Sequence, residues 1–121
     1  MESKRTLILG ATSNPDRYAY LAANRLLNYG HEIVLVGNKK GIIQGIKIQN
    51  DLKPQKDIDT ITLYLGPKNQ AEYYKYIIDT KRKRVIFNPG TWNPELIEKL
   101  ELENIEVIDA CTLVMLSANT Y

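Results

Sequence analysis

The chain has 121 residues, of which 44% are hydrophobic and 25% are charged, a size and balance typical of one globular domain. The net charge of +2 gives no electrostatic reason to expect a nucleic-acid or membrane-surface partner. A single cysteine, Cys111, excludes an internal disulfide and suits a reducing compartment. No apolar stretch approaches the ~20 residues of a transmembrane helix, and no long apolar region typical of a signal peptide opens the chain. We therefore expect one cytoplasmic domain over residues 1–121.

Apolar runs and helical periodicity alternate along the chain. Short apolar runs rich in β-branched residues predict strands at residues 5–9, 33–36, 60–65, 85–87 and 105–108. Apolar residues at helical spacing predict helices at residues 18–29, 69–81 and 94–103. Asn93 is the expected N-cap of the third helix, and residues 42–52 are expected to hold a short extended segment. The tail from Thr112 to Tyr121 carries no pattern that assigns it.

This alternation predicts the fold class. Strands separated by helices build a parallel sheet with right-handed crossovers and helices on both faces. We expect an α/β, Rossmann-like three-layer sandwich with a five-stranded, mainly parallel sheet in the order 3-2-1-4-5. Ligands of such sheets bind at the carboxyl ends of the strands, beside the first strand, where the order reverses. The loops at that edge are rich in Gly, Pro, Asn or Lys and comprise residues 10–15, 37–41, 65–68 and 88–92.

The loop from Gly10 to Pro15 joins a buried strand to a helix. Backbone N–H groups at the start of a helix carry partial positive charge and attract anions, which makes this loop a candidate phosphate site. An ordinary turn without a ligand is the alternative. The dinucleotide fingerprint G-x-G-x-x-G retains only its first glycine, because its third and sixth positions are Thr12 and Pro15.

The second strand ends in residues that disfavour NAD. An NAD site has an acidic residue there to hold the ribose hydroxyls, whereas this chain has Gly37 and Asn38, followed by Lys39 and Lys40. Two ammonium groups favour an additional phosphate on the ribose. This leaves NADP and coenzyme A as candidate ligands. The alternative is that the lysine pair belongs to a solvated surface loop.

Together these loops resemble the stand-alone CoA-binding domain family, which is related to the CoA-binding domain of the succinyl-CoA synthetase α subunit. The matching segments are residues 10–15, 36–40 with Gly45, 63–67, 88–90 and 109–111. The resemblance implies a Rossmann-like fold that binds coenzyme A, or an acyl-CoA, across these loops. It implies a CoA-type small molecule as the partner, with no role for nucleic acid or a membrane.

The resemblance also implies particular contacts. Residues 12–15 match the first-loop segment that contacts the cofactor, Lys40 matches a CoA-contacting lysine, and residues 88–90 match a contact after the fourth strand. Leu65 and Pro67 would flank the adenine or the pantetheine. Gly37-Asn38 stands where many members have an asparagine-proline pair, a departure that bears on the lysine contact. The expected cofactor-binding residues are Gly10, Thr12, Ser13, Asn14, Pro15, Asn38, Lys39, Lys40, Leu65, Pro67, Asn88, Pro89 and Gly90.

No catalytic constellation is found in the sequence. The one histidine, His31, is expected at the sheet end opposite the site, where it cannot reach a substrate. One histidine and one cysteine cannot form a zinc site. Cys111 is either a buried thiol or a thiol able to exchange with the sulfhydryl of CoA, and Trp92 is either a lid over the ligand or packing for the last predicted helix.

We therefore expect non-catalytic binding of CoA or an acyl-CoA as the function. The alternative from another class is an NADP(H)-binding oxidoreductase or redox-sensing module. A third hypothesis is an interaction subunit that binds no ligand. The missing glycines and acid weigh against the second hypothesis, and the polar first loop with Lys40 weighs against the third.

Overall fold

A computed structural model describes residues 3–80 and 82–121. The strands are β1 (Thr6–Leu9), β2 (Ile33–Val36), β3 (Ile42–Ile43), β4 (Ile46–Lys47), β5 (Thr60–Leu63), β6 (Arg84–Phe87) and β7 (Glu106–Asp109). The helices are α1 (Tyr18–Asn28), α2 (Pro67–Gln70), α3 (Tyr74–Asp79), α4 (Pro94–Leu102) and α5 (Thr112–Ser117), with a 3₁₀ turn at Ala71–Tyr73. None of the helices in the described residues is long and apolar enough to cross a membrane.

The main sheet has five parallel strands in the order β2-β1-β5-β6-β7. In β1, Thr6 aligns with Ile33 of β2 on one side and with Thr60 of β5 on the other. All residues of β1, β2, β5 and β6 are buried. Burial on both faces explains why these strands, apart from Arg84 at the start of β6, are continuous apolar or threonine-containing runs without alternation. The expected α/β, Rossmann-like sheet of five strands is confirmed.

The expected strand order 3-2-1-4-5 is wrong. The third long strand of the chain, β5, pairs with β1 and β6 instead of extending the sheet beyond β2. The position outside β2 is taken by Gln49, which bridges Val36 in parallel and donates its N–H to Leu35 O at 2.8 Å. The chain then continues past Ile58, which is buried in the core on the face that α3 and α4 cover, and enters β5 beside β1.

Helices cover both faces of the sheet and separate two cores. One core combines the sheet with α3 and α4 and includes Leu7, Ile61 and Phe87. The other combines it with α1 and α5 and includes Ile8 and Leu26. The crossover after β1 contains α1, and the crossover after β5 contains α2 and α3. Since α1 and α3 pack into different cores, the crossovers that leave these neighbouring strands cover opposite faces.

The helices follow the predicted pattern with one interruption. Helix α1 and helix α4 agree with the periodicity, and the Asn93 side chain caps α4 by accepting from Glu95 N at 3.2 Å and Leu96 N at 3.4 Å. The single helix expected over 69–81 is divided into α2, the 3₁₀ turn and α3. It begins early because Pro67 occupies the first helical position, which suits proline. Its predicted end at Lys81 lies outside the described residues.

Two further segments, one predicted to be extended and one unassigned, have regular secondary structure. The extended segment expected within 42–52 forms an antiparallel hairpin of β3 and β4, with Gln44 and Gly45 in its turn at φ of 46° and 81°. The tail forms α5, which packs against α1. The N–H of Thr112 at its start donates to Asn88 Oδ1 at 2.8 Å.

A polar cluster lies at the amino end of the sheet, around the ring of Tyr121. Its hydroxyl is 2.5 Å from Thr6 Oγ1, and the Arg84 guanidinium stands 4.4 Å from the ring centroid. The His31 ring meets the Tyr121 ring edge-on at 4.9 Å, and His31 Nδ1 accepts the Lys4 N–H at 2.9 Å. Burial, with further contributions from the Lys4 and Arg84 charges, lowers the pKa of His31 below its ordinary value of 6.5.

We predict that His31 makes the folding stability depend on pH. Its folded-state pKa is lowered, so the neutral ring contributes fully above about pH 6.5. This contribution is lost as the pH falls from there through the folded pKa, because a protonated Nδ1 cannot accept the Lys4 N–H. The measurement is urea unfolding between about pH 7.5 and 5.5. His31→Asn supplies an acceptor that does not titrate, so the free energy of unfolding of this variant should depend less on pH in this range. A pH dependence equal to that of the wild type contradicts the role assigned to His31.

Candidate functional site

A cavity of about 690 Å³ opens at the carboxyl ends of β1, β5 and β6. Its size is within the usual range for small-molecule sites. Four loops and the start of α1 line it, which places it where the crossovers from β1 and β5 diverge. The lining residues are Gly10, Ala11, Thr12, Asn14, Asp16, Arg17, Tyr18, Ala19, Asn38, Lys39, Tyr64, Leu65, Gly66, Pro89, Gly90 and Thr91.

The first loop turns the chain from β1 into α1. Gly10 has a φ of 95°, a conformation that glycine adopts without a steric penalty. The loop is held by its own side chains, because Asn14 N donates to Thr12 Oγ1 at 3.2 Å and Asp16 N donates to Asn14 Oδ1 at 3.0 Å. A loop fixed in this way presents its backbone to the cavity in a defined shape.

The amino end of α1 forms one wall of the cavity. Arg17 is the N-cap residue, with no side-chain cap hydrogen bond, and the first turn contains no acidic residue. The backbone donors of the first turn and the positive end of the helix dipole therefore suit an anion. The Arg17 and Lys39 side chains add positive charge, and Asp16 adds one negative charge to the lining. Tyr18 contributes an aromatic ring that is 72% exposed.

The basic loop after β2 lies directly against the first loop. A Cβ on Gly37 would approach Ala11 O to 2.7 Å, and a Cβ on Gly41 would approach Ser13 Oγ to 2.6 Å. Glycine at both ends thus permits a contact that any side chain would obstruct. Asn38 and Lys39 reach the cavity lining.

The opposite wall consists of the loops after β5 and β6, and Gln70 holds them together. Its Nε2 donates to Leu65 O and to Thr91 O, each at 2.7 Å, and its Oε1 accepts from Asn93 Nδ2 at 2.9 Å. Gln70 has no solvent exposure. A buried amide with partners for both of its polar atoms fixes the spacing of the two loops.

Tyr64 separates the cavity from α5. Its side chain is largely buried, and burial raises the pKa of Tyr64 to about 12, against an opposing effect of the nearby Thr112 and Thr62 hydroxyls. The phenol is therefore neutral at physiological pH. It can serve as part of the cavity wall but not as a base.

The structure brings most of the predicted site residues to the cavity. Gly10, Thr12, Asn14, Asn38, Lys39, Leu65, Pro89 and Gly90 are all among the lining residues. The other predicted residues lie around the cavity rather than in its lining. Ser13 faces Gly41, Lys40 is exposed, Pro67 begins α2, and Pro15 is exposed in the first loop.

Asn88 lies beneath the cavity and is 3% exposed. Its Nδ2 donates to Thr62 Oγ1 at 2.6 Å and Leu63 O at 2.8 Å, and its Oδ1 accepts from Thr112 N. Its backbone oxygen also accepts from Thr91 N at 3.0 Å. These internal bonds join β5, β6 and α5, so Asn88 shapes the floor of the site.

Sequence reasoning missed several lining residues, above all Arg17, Tyr18, Tyr64 and Thr91. Arg17 and Tyr18 stand at the start of α1, Tyr64 directly follows β5, and Thr91 lies within the predicted loop 88–92. A search for charged and aromatic residues at the first helical turn would have found Arg17 and Tyr18. Tyr64 falls within the predicted strand 60–65, whose last residues already belong to the cavity wall.

The residues considered for catalysis are dispersed. His31 lies at the amino end of the sheet, against Lys4 and Tyr121, and no metal-binding group of His, Cys, Asp and Glu occurs in the described part of the chain. Cys111 is half-buried and stands at the N-cap position of α5. Trp92 is 47% exposed and packs its ring edge-on against Phe87 at 5.7 Å.

Comparison with known families bears on this arrangement of loops. A family profile described as a CoA binding domain matches residues 4–117. The chain belongs to the CoA-binding domain family. The resemblance carried by the loop residues is thereby confirmed. No curated protein sequence matches the chain.

Solved structures of similar chains share the fold. An uncharacterized protein of known crystal structure is 54% identical, with both chains covered fully and a TM-score of 0.98. A hypothetical protein from Pyrococcus horikoshii OT3 is 25% identical over 93% of this chain and 80% of its own, with a TM-score of 0.82. Cell-free ID.343 from Thermus thermophilus is 19% identical over 98% of this chain and 91% of its own, with a TM-score of 0.84, and shows the fold alone.

Proposed function

We propose that the chain binds coenzyme A, or an acyl-CoA, in the cavity beside β1 and β5. The observation that carries the proposal is a cavity that combines a helix N-terminus with Arg17 and Lys39 in a member of the CoA-binding domain family. Coenzyme A carries a diphosphate and a phosphorylated ribose, so it needs several separate sources of positive charge. The cavity offers two arginine or lysine side chains and one helix dipole.

The diphosphate fits the first loop and the start of α1. Phosphate oxygens accept hydrogen bonds from free backbone N–H groups at a helix N-terminus, and the dipole favours their charge. Arg17 lies at this point, and its guanidinium can hold two phosphate oxygens at once. The Asp16 carboxylate at the same wall repels an anion, so the positive charge of Arg17 is needed to offset this repulsion.

The phosphate on the ribose fits the basic loop. Lys39 and Lys40 are both exposed, but Lys39 is among the residues that line the cavity and Lys40 is not. We therefore assign the phosphate contact to Lys39 and regard Lys40 as the less suitable candidate. Leu65 lines the wall across the cavity, where it can flank the adenine or the pantetheine, and Pro67 supports that loop from the start of α2.

We infer further that the chain binds the cofactor without performing chemistry on it. Its histidine, His31, contacts Lys4 and Tyr121 at the end of the sheet opposite the cavity. The neutral Tyr64 phenol cannot act as a base. An enzyme that uses a cofactor must place catalytic groups against its reactive atom. We place this binding function in the cytoplasm, where a protein with one cysteine retains a free thiol.

We predict that CoA raises the melting temperature of the protein in a concentration-dependent way. A ligand that binds only the folded state stabilises it by about 2.7 kcal/mol at a free concentration of 100 times its Kd. The measurement is a thermal shift series with CoA, acetyl-CoA, NADP and NAD. NAD should have little effect, because it lacks the additional phosphate. Stabilisation by NADP with no effect of CoA would contradict CoA as the ligand and support the alternative.

We predict that Lys39→Ala weakens CoA binding more than dephospho-CoA binding. Loss of one charge-assisted contact should cost about 1–3 kcal/mol in the binding of CoA, with little change for the ligand that lacks the phosphate. Isothermal titration calorimetry gives both affinities. Lys40→Ala is the matched control, since it removes the same charge one residue away and should change CoA affinity far less. A larger effect of Lys40→Ala would transfer the contact to that residue.

A further inference from the structure

The Asn50 side chain donates hydrogen bonds to the backbone of the basic loop, residues 37–41. Its Nδ2 donates to Gly37 O at 2.8 Å and to Lys39 O at 2.9 Å. One amide group therefore binds both the start of the loop and the residue that carries its cavity-lining charge. Neither hydrogen bond is part of a sheet or helix ladder.

Asn50 is itself anchored next to β2. The preceding residue, Gln49, donates its N–H to Leu35 O at 2.8 Å and accepts the N–H of Gly37 at 3.1 Å. Gln49 thus extends the sheet by one parallel bridge. Because the backbone next to Asn50 is fixed to the sheet, the Asn50 side chain can hold the basic loop in place.

The basic loop also lies against the first loop. Gly37 and Gly41 are the points of closest approach, where a Cβ would meet Ala11 O at 2.7 Å and Ser13 Oγ at 2.6 Å. These contacts limit the motion of the two loop ends. Of the two hydrogen bonds from Asn50, the one to Lys39 O holds the middle of the loop, where Asn38 and Lys39 reach the lining.

We propose that Asn50 is a positioning residue that fixes Lys39 at the cavity and thereby sets the preference for CoA over dephospho-CoA. The inference rests on the proposed function of the cavity. A lysine side chain loses much rotational freedom when it binds a phosphate, and an unfixed backbone adds a further entropic cost. By holding the backbone of Lys39 before the ligand arrives, Asn50 reduces that cost.

This role predicts a specific change in ligand preference. Asn50→Ala keeps every charge of the cavity but removes both donors to the basic loop. We expect CoA affinity to fall roughly 3- to 10-fold, the size of one or two ordinary hydrogen bonds. Dephospho-CoA affinity should remain within about 2-fold, because that ligand does not use the Lys39 contact. Calorimetric titration of both ligands gives the ratio.

Gln55→Ala is the matched control. Its Nε2 donates to Gln49 Oε1 at 2.9 Å, so it belongs to the same connection but has no hydrogen bond to the basic loop. This variant should retain the wild-type ratio of the two affinities. A second readout is trypsin cleavage after Lys39 and Lys40 in the ligand-free protein, followed by mass spectrometry. Cleavage there should become faster in Asn50→Ala and remain unchanged in Gln55→Ala.

The outcomes separate this proposal from the proposed function. A wild-type protein that prefers CoA, together with an Asn50→Ala variant that retains the full preference or weakens both ligands equally, contradicts the role of Asn50 alone. Cleavage at the two lysines that is no faster in Asn50→Ala also contradicts it. A wild-type protein that binds neither ligand overturns the proposed function and this proposal with it.

Discussion

The position of β5 beside β1 determines where this protein can bind a ligand. Both strands are buried on both faces and run in parallel, so each must leave the sheet at the same edge. Their crossovers cover opposite faces, and the two segments that follow β1 and β5 therefore diverge as they leave the sheet. The gap between them is the cavity, bounded by the start of α1 on one side and the loop before α2 on the other. It follows from topology and does not depend on any particular binding residue.

The buried amide side chains of Asn88 and Gln70 give this gap a fixed shape. Asn88 joins β5, β6 and α5 below the cavity, and Gln70 holds the loops after β5 and β6 at a fixed spacing. Loops rich in glycine and proline would otherwise be poorly constrained. Because both amides have internal partners, they shape the cavity while leaving charge and aromatic surface to Arg17, Lys39 and Tyr18. Residues that hold the loops and residues that line the cavity are thus neighbours in the fold.

The strands of the fold were predictable because burial on both faces leaves a strong local signal. Their order was not, because a strand has the same composition on whichever side of β1 it lies. The deciding feature is Gln49, whose bridge beside β2 involves a polar residue with no strand pattern. Likewise, α5 has only six residues, too few for helical periodicity to be recognised. The hydrogen bond that Thr112 N donates to Asn88 Oδ1 joins residues distant in the sequence.

The loops that surround the cavity were predictable, and the side chains that line it were less so. Strand ends identify which loops meet, so Gly10, Asn38, Leu65 and Gly90 were expected together. Which of the adjacent Lys39 and Lys40 lines the cavity depends on the path of the backbone. Contacts with residues distant in the sequence, from Asn50 and at Gly37 and Gly41, fix that path. The family match covers residues 4–117 and so includes all four loops of the carboxyl edge.

The most direct test of the account is to locate CoA on the protein in solution. Titration of ¹⁵N-labelled protein with CoA, followed through its amide resonances, reports which segments contact the ligand. The account predicts that the largest shifts occur in residues 10–19, 37–41, 64–66 and 89–91, which surround the carboxyl edge. Shifts confined to the opposite edge, around Arg5, Glu32 and Lys83, or no shifts at saturating CoA, would contradict it.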